Sequence, residues 1–232
     1  MRLVVSLDRG LEVVIPRGFD RRQIPGLLED KRDWIERTTA RMEARRGRLE
    51  ADPPRLPERI SLPAVGEEWE VEYRPRVSPA AVKTGAVVRE LPGWRLVVTG
   101  DPGDHAAAKE ALCRWLRRRA RRALVPRLME IARQHGLEYE RVSLRQQRTR
   151  WASCSRQKTI SLNTRLLFLP PDVVDYVLLH ELCHTVEMNH SPRFWALLET
   201  RDPHYRTHKK LLRNAGASLP AWLDHDVREP AV

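Results

Sequence analysis

The sequence predicts an α+β protein, in which a small antiparallel β-rich region with one helix precedes a mainly helical region. Short runs of alternating apolar and polar residues, separated by turn formers, fill most of the first hundred positions. After the glycine-, proline- and aspartate-rich segment 100–104, long stretches show helical periodicity instead. This segment is the clearest boundary in the chain. We therefore expect a β-rich N-terminal domain at 1–101 and a second domain at 102–232.

The composition is that of a globular protein, since 41% of the 232 residues are hydrophobic and 31% are charged. No run approaches the roughly 18 consecutive apolar residues of a membrane-spanning helix, which excludes that class. Residues 1–16 contain Asp8, Arg9 and Glu12 and lack the apolar core of a secretory signal, so we expect a cytoplasmic location. Three cysteines are too few for a disulfide framework.

The N-terminal region is expected to contain strands around one helix. The β-rich runs 3–7 and 11–15 flank an Asp-Arg-Gly hairpin signal at 8–10. Asp20 can cap a single helix that extends to about residue 48. Alternating hydrophobicity then predicts a small antiparallel sheet. Its strands are expected at 59–62, 68–74, 86–91 and 94–98.

The C-terminal region begins with a long predicted helix at 105–134. Gly136 is its expected stop, and Pro126 is expected to kink or divide it. Strands at 139–147 and 159–163 surround the segment 150–155. The rest of the chain is expected to be helical, at 171–187, 192–200 and 204–214.

The charge is strongly basic, with 42 Lys and Arg against 31 Asp and Glu and a net charge of +11. Much of the excess lies in residues 109–133, which hold nine bases and two acids. This stripe is either a solvated helix face or a surface for phosphate, nucleic acid or an acidic partner. Aromatic residues make up only 6%, so platforms for base stacking are scarce.

The most informative motif is His180-Glu181-Leu182-Cys183-His184. On a helix, residues four apart lie on one face, so the two imidazoles can bind one ion. Glu181 points to another side, where it can reach a water molecule at that ion as a general base. The flanking residues are apolar on nearly all sides, which predicts a buried helix. Buried histidines and glutamates need partners, and a metal ion is the simplest one.

A third histidine, His190, follows six residues after His184. A continuous helix would direct it elsewhere, but Asn189 permits a helix end, and Ser191 and Pro192 can start the next helix. Three histidines with one open position are the arrangement of a catalytic zinc site. Imidazole also suits iron, nickel and copper. The alternative is that these are ordinary core histidines.

These residues stand within a longer pattern that resembles the YgjP-like metallopeptidase family, which is related to SprT-like and other zincin-type proteases. The resemblance is densest between residues 145 and 200. It is carried by Thr-Arg-Trp-Ala-Ser-Cys-Ser at 149–155, Ile-Ser-Leu-Asn at 160–163, Leu-Pro-Pro at 169–171, the run 175–184, Asn-His-Ser at 189–191 and Phe-Trp at 194–195.

The resemblance implies zinc bound by His180, His184 and His190, with Glu181 as general base. It also implies a zincin-like catalytic domain at 102–232, with the active-site helix packed on a β-sheet, and a peptide or protein substrate. The role of the domain at 1–101 is then an accessory one, such as gating the cleft or recruiting substrate.

Several residues are candidates for contacts with the substrate. Arg150, Trp151 and Tyr205 are expected to bind it, although Arg150 and Trp151 can equally brace the sheet. An oxyanion donor is also needed, for which His204 and His208 are further candidates. A peptide could pair with the strand 159–163 if that strand lies at a sheet edge; an internal position is the alternative.

Three functions follow from the sequence. The first is a zinc-dependent peptidase. The second is a metal-dependent hydrolase of nucleoside triphosphates, because arginine-rich segments suit phosphate. The third is a SprT-like protease that reaches nucleic acid through residues 109–133. Cys154 as a nucleophile or as a mixed His/Cys metal ligand is a further alternative, whereas Cys183 is expected in the core.

Overall fold

The computed structural model confirms the α+β class. It describes residues 2–6, 10–15, 18–51, 55–76, 85–147, 150–215, 219–223 and 228–230. The chain folds into two compact units, one formed by 1–55 with 221–232 and the other by 56–220. The functional division at residues 1–101 and 102–232 stays a prediction.

The smaller unit contains a three-stranded antiparallel sheet and two helices. Its strands β1 (Arg2–Ser6) and β2 (Gly10–Val14) pair as the sequence predicts, and a C-terminal strand β10 (Arg228–Pro230) pairs with β1. The hairpin residues Asp8 and Arg9 lie outside the described residues.

The sequence predicts a single helix after Asp20, but the structure has a 3-10 turn and two helices there. The Asp20 carboxylate caps a 3-10 turn, which leads into helix α1 (Ile24–Glu29), and helix α2 (Arg32–Ala51) begins after a separate turn. At that turn the Lys31 N–H donates to the Leu28 carbonyl at 3.2 Å. The bond joins residues three apart, as in a 3-10 turn, whereas the bonds of an α-helix join residues four apart.

The larger unit begins with a four-stranded sheet, which is mixed and not antiparallel as expected. It consists of β3 (Arg59–Leu62), β4 (Glu67–Pro75), β5 (Val87–Leu91) and β6 (Arg95–Gly100), in the order β3-β4-β6-β5. Strands β4 and β6 run parallel. The alternation of apolar and polar residues identifies strands but not their partners, so the sequence could not predict this pairing.

Helix α3 (His105–His135) packs along this sheet. The Asp104 carboxylate accepts from the Ala107 N–H at its start, and Gly136 ends it with φ of 61°, as predicted. Pro126 lies inside the helix but does not divide it. Leu124 and Leu128 are buried on either side of the proline, so tertiary packing stabilises the helix where an internal proline costs roughly 3 kcal/mol.

The remaining elements surround the histidine motif. Strands β7 (Arg141–Arg145), β8 (Ala152–Cys154) and β9 (Thr159–Asn163) form a sheet in the order β7-β9-β8, so β9 is internal. Of the two positions considered for residues 159–163, the internal one is therefore correct, and a peptide cannot pair with this strand as an added edge strand. Three helices follow: α4 (Pro171–Cys183), α5 (Pro192–Arg201) and α6 (Tyr205–Asn214). Within the described residues, no helix has both the length and the apolar character needed to cross a membrane.

Candidate metal centre and cleft

Helix α4 is held in the core by its apolar residues. Pro171 begins it at a position where the missing N–H costs nothing, and its last turn carries His180 and Glu181. His184 is the C-terminal cap, so the two histidines stay on one face with ring centroids 4.9 Å apart. The apolar residues that bury the helix are Val173, Val174, Val177, Leu178, Leu179 and Leu182.

The chain leaves the helix directly after His184. The Glu187 N–H donates to the Cys183 carbonyl at 3.0 Å, which closes a turn before the next helix. The Ser191 hydroxyl then accepts from the Phe194 N–H at 3.4 Å and caps α5. This tight turn returns His190 to the other two histidines.

The three histidines meet at their Nε2 atoms. His190 Nε2 lies 3.0 Å from His180 Nε2 and 3.2 Å from His184 Nε2. One ligand atom from each ring lies within 4.8 Å of the others, the spacing of a possible metal site. His184 is buried, His180 is half-buried and His190 is exposed, so the cluster opens to solvent on one side.

This donor set fits a divalent cation that prefers nitrogen ligands. Zn–N bonds of about 2.0–2.1 Å in a tetrahedral site separate the nitrogens by roughly 3.3 Å, close to the spacing of these rings. His184 Nδ1 lies 3.0 Å from the Glu187 carbonyl oxygen, a contact that places the proton on Nδ1 and the lone pair on Nε2. Lone pairs from three rings that face one another require a cation or shared protons between them.

The surroundings of His180 and His190 favour the neutral imidazole. Burial, together with the smaller effects of His184, His190 and Lys209, lowers the pKa of His180 to about 3. Burial also lowers the pKa of His190, with help from His184 and Lys209. Neutral imidazole is the form that binds metals, so the site is prepared for a cation at neutral pH.

Aromatic side chains hold the rings in place. Phe194 is fully buried and contacts all three imidazoles, with centroid distances of 4.4–4.9 Å. Trp195 stacks on His190 at 5.4 Å, and Tyr205 stacks on Trp195 at 5.6 Å. The family pattern includes Phe194 and Trp195. Without that pattern, the sequence indicates only that Phe194 lies one helical turn after the Ser191 cap.

Glu181 is almost completely buried and faces the sheet. Burial raises its pKa to about 7, against the opposing effects of the Arg150 charge and a hydrogen bond from the Cys154 backbone. The carboxylate is therefore oriented by β8 and is a stronger base than an exposed glutamate.

A cleft of about 190 Å³ lies beside Glu181 and His180. The predicted substrate residues Arg150 and Trp151 are part of its lining, and Asn163 anchors them: its side-chain amide donates to the Arg150 carbonyl at 2.8 Å. The full lining comprises Arg150, Trp151, Ala152, Tyr176, Val177, His180, Glu181 and Leu212.

The remaining candidates for contacts with the substrate, on α6 and directly before it, do not line this cleft. Tyr205 is buried against Trp195 and is not part of this lining. His208 Nδ1 lies 2.9 Å from an Asp202 carboxylate oxygen, and His204 is exposed at the start of α6. The structure thus brings the three histidines, Glu181, Arg150 and Trp151 together and separates Tyr205 from the cleft.

The three cysteines are free thiols and stand outside the histidine cluster. Burial and, to a smaller extent, the Glu181 charge raise the pKa of the Cys154 thiol to about 11, against the opposing effect of the Lys158 charge. That thiol donates a hydrogen bond to the Ser155 carbonyl at 3.5 Å. A protonated thiol of this kind is a poor nucleophile. Cys183 is fully buried in the core.

The basic stripe on α3 is largely paired with carboxylates. Arg127 makes two hydrogen bonds to Asp175 of α4, at 2.7 and 2.5 Å, and Arg119 pairs with the buried Glu67. The other ion pairs join Arg114 to Glu110, Arg122 to Glu90 and Arg133 to Glu130. Arg119, Arg122 and Arg127 are thus paired with carboxylates on other elements, whereas the pairs of Arg114 and Arg133 lie within α3 itself.

Comparisons with known proteins identify a family. A family model described as YgjP-like, metallopeptidase domain matches residues 1–215. Crystal structures of two metallopeptidase zymogens are similar to part of the chain. Abylysin of Pyrococcus abyssi is 26% identical, over 41% of this chain and 94% of its own, with a TM-score of 0.37. Jannalysin of Methanocaldococcus jannaschii is 21% identical, over 39% and 95%, with a TM-score of 0.35. No curated protein matches the sequence.

Proposed function

The chain belongs to the YgjP-like family of metallopeptidase domains, and from this premise we propose that it is a zinc-dependent peptidase. The observation that carries the proposal is the convergence of three imidazole Nε2 atoms beside a buried glutamate. His180, His184 and His190 hold the cation in this proposal. Iron, nickel or another divalent metal is an alternative occupant with the same ligands.

A cation bound by these rings supplies Lewis-acid polarisation of the scissile carbonyl and lowers the pKa of water toward about 7. The protein contributes the remaining groups. Glu181 takes a proton from the attacking water and returns it to the leaving amine. Burial raises the pKa of Glu181 above that of an exposed glutamate, which makes the carboxylate a better acceptor for the proton of the attacking water.

We assign the binding of an extended peptide to β8. Trp151 and Ser155 make backbone hydrogen bonds toward β9, so Ala152 and Cys154 direct their backbone groups away from it. The Cys154 backbone donates to Glu181, which leaves Ala152 to pair with the substrate backbone. Arg150 and Trp151 then contact its side chains. Tyr205 as a direct substrate contact stays a prediction.

The two other functions from the sequence stay predictions. Hydrolysis of nucleoside triphosphates requires cations beside the metal site, and Arg150 is the one that lines the cleft. Incubation of the metal-loaded protein with casein and with nucleotides separates these activities. The nucleic-acid function requires DNA binding that weakens steeply with salt.

The substitution Glu181→Gln tests the proposal. We expect the variant to retain one metal ion per chain and to lose about 1,000-fold in kcat for peptide hydrolysis, because it removes the general base without removing a ligand. Elemental analysis and a peptide assay measure the two quantities.

Glu138→Gln is the matched control, since Glu138 is an exposed glutamate outside the cleft. It should retain both metal and activity. Full activity of Glu181→Gln contradicts the base assignment, and loss of metal in that variant shows that Glu181 has a structural role.

A further inference from the structure

Several basic side chains on α5 and α6 have partners of their own. Arg206 pairs with Glu199 at 3.2 Å, and His208 contacts Asp202. The guanidinium of Arg201 donates to the Leu197 carbonyl. Arg206 therefore has a carboxylate partner, whereas Arg201 keeps its charge but directs a donor at its own helix.

Lys209 on α6 is different. Its ammonium lies 4.0 Å from the centroid of the Trp195 ring, a cation–π contact, and it makes no ion pair among the described residues. Trp195 stacks on His190 and has its centroid 6.1 Å from that of His180. The ring therefore holds this ammonium beside the two more accessible histidines.

Arg150 is a second cation at the reaction centre, on a different element. It lines the cleft together with His180 and Glu181, and its charge acts on the Glu181 carboxylate. Lys209 has no carboxylate beside it among the described residues, so of the two cations it is the one available to an anionic group of the substrate.

An aromatic ring fixes the position of an ammonium but satisfies none of its N–H donors by hydrogen bonding. Lys209 consequently keeps three donors for an incoming group. Because the proposed substrate is a peptide, the anion that such a group can carry is a carboxylate. A carboxylate here also offsets the unfavourable approach of the ammonium to a bound cation.

We propose that Lys209 binds a substrate carboxylate, so that the enzyme prefers peptides with an acidic side chain or a free C-terminus near the scissile bond. This inference rests on the proposed peptidase function. Both groups are carboxylates, but they imply different activities. An acidic side chain implies an endopeptidase with acidic specificity, whereas a free C-terminus implies removal of C-terminal residues.

Four short alanine-based peptides distinguish the sources. They carry either Glu or Gln at one position and end in either a free carboxylate or an amide. We expect wild-type kcat/KM to be about tenfold higher for one charged peptide than for its neutral partner, mainly through KM, and to fall with ionic strength. Lys209→Met should reduce this preference to less than twofold.

Lys210→Met is the matched control, because Lys210 is the next residue of α6 and is also exposed, whereas the contact with the Trp195 ring is that of Lys209. It should keep the wild-type preference. Lys209→Arg, which restores a cation, should recover most of it. An equal preference in wild type and Lys209→Met, or no charge preference in wild type, overturns the proposal.

Binding separates this inference from the proposed function. Anisotropy of the same peptides, labelled with fluorescein, is measured on the Glu181→Gln background with and without Lys209→Met. Carboxylate-dependent binding that requires Lys209, without any hydrolysis by wild type, supports the anion site and contradicts the peptidase. Hydrolysis without carboxylate-dependent binding contradicts the anion site alone.

Discussion

Helices α3 and α4 carry the two strongest signals of the sequence, and the structure uses them in opposite ways. On α4, polar residues are few and converge with His190 on one point. On α3, basic residues are many and disperse, since five of them pair with carboxylates on three different elements and on α3 itself. The pair between Arg127 and Asp175 even joins the two helices.

The comparison teaches that spacing is a better guide to a site than charge. Two histidines four residues apart must share a helix face, whatever surrounds the helix. A run of arginines has no such constraint, because each long side chain can reach a different partner. Net charge describes a segment, whereas a site requires atoms directed at one position.

The largest expected effect comes from His184→Ala. It should abolish metal binding and reduce peptide hydrolysis by about 1,000-fold or more, because the several kcal/mol that the cation contributes to transition-state stabilisation are lost. Metal analysis and a peptide assay measure this. His105→Ala, at the exposed start of α3, is the control and should change neither. If His184→Ala retains one metal ion per chain, the histidines of α4 do not form the metal site, and the contrast with α3 is wrong.

A smaller effect is expected from Arg119→Met on α3. Glu67 is 4% exposed and accepts hydrogen bonds from Arg119 and from the Trp69 indole N–H. Without Arg119 a buried carboxylate loses its cation, so the free energy of unfolding should fall by about 3 kcal/mol with metal content unchanged. Urea denaturation measures this.

Arg118→Met is the matched control for that experiment. Arg118 is the preceding arginine, and it is exposed with no ion pair among the described residues. Its replacement should have little effect on unfolding. Equal destabilisation by the two substitutions means that the ion pair between Arg119 and Glu67 contributes nothing specific.

The smallest effect is expected from the combined replacement of Arg117, Arg118 and Arg121 by Gln. These exposed residues form the unpaired part of the stripe. Peptide hydrolysis should be unchanged and the free energy of unfolding should change by no more than about 0.5 kcal/mol. DNA binding that is strong, salt-dependent and lost in this variant would reverse the comparison and assign the stripe a binding role.

Features with local causes were predictable. The start and stop of α3 at Asp104 and Gly136, and the cap of α5 at Ser191, follow from residues within one helical turn. The departure of the chain from α4 before His190 follows in the same way. Here the sequence was sufficient because donors, acceptors and backbone angles all lie within a few residues.

Features with distant partners were not predictable. The parallel pairing of β4 with β6, the internal position of β9 and the continuity of α3 through Pro126 depend on what packs against each element. The placement of Lys209 on Trp195 is of the same kind, since it joins two helices.

By itself, the sequence determined which residues could act together: the spacing of His180, Glu181 and His184 on a helix makes one shared face unavoidable. Only the tertiary structure decided the surroundings of those residues, including the buried carboxylate under β8, the rings of Phe194 and Trp195 against the imidazoles, and the pairing of the arginines. The reason is that backbone geometry fixes neighbours along a helix, whereas burial and charge depend on residues far away in the chain.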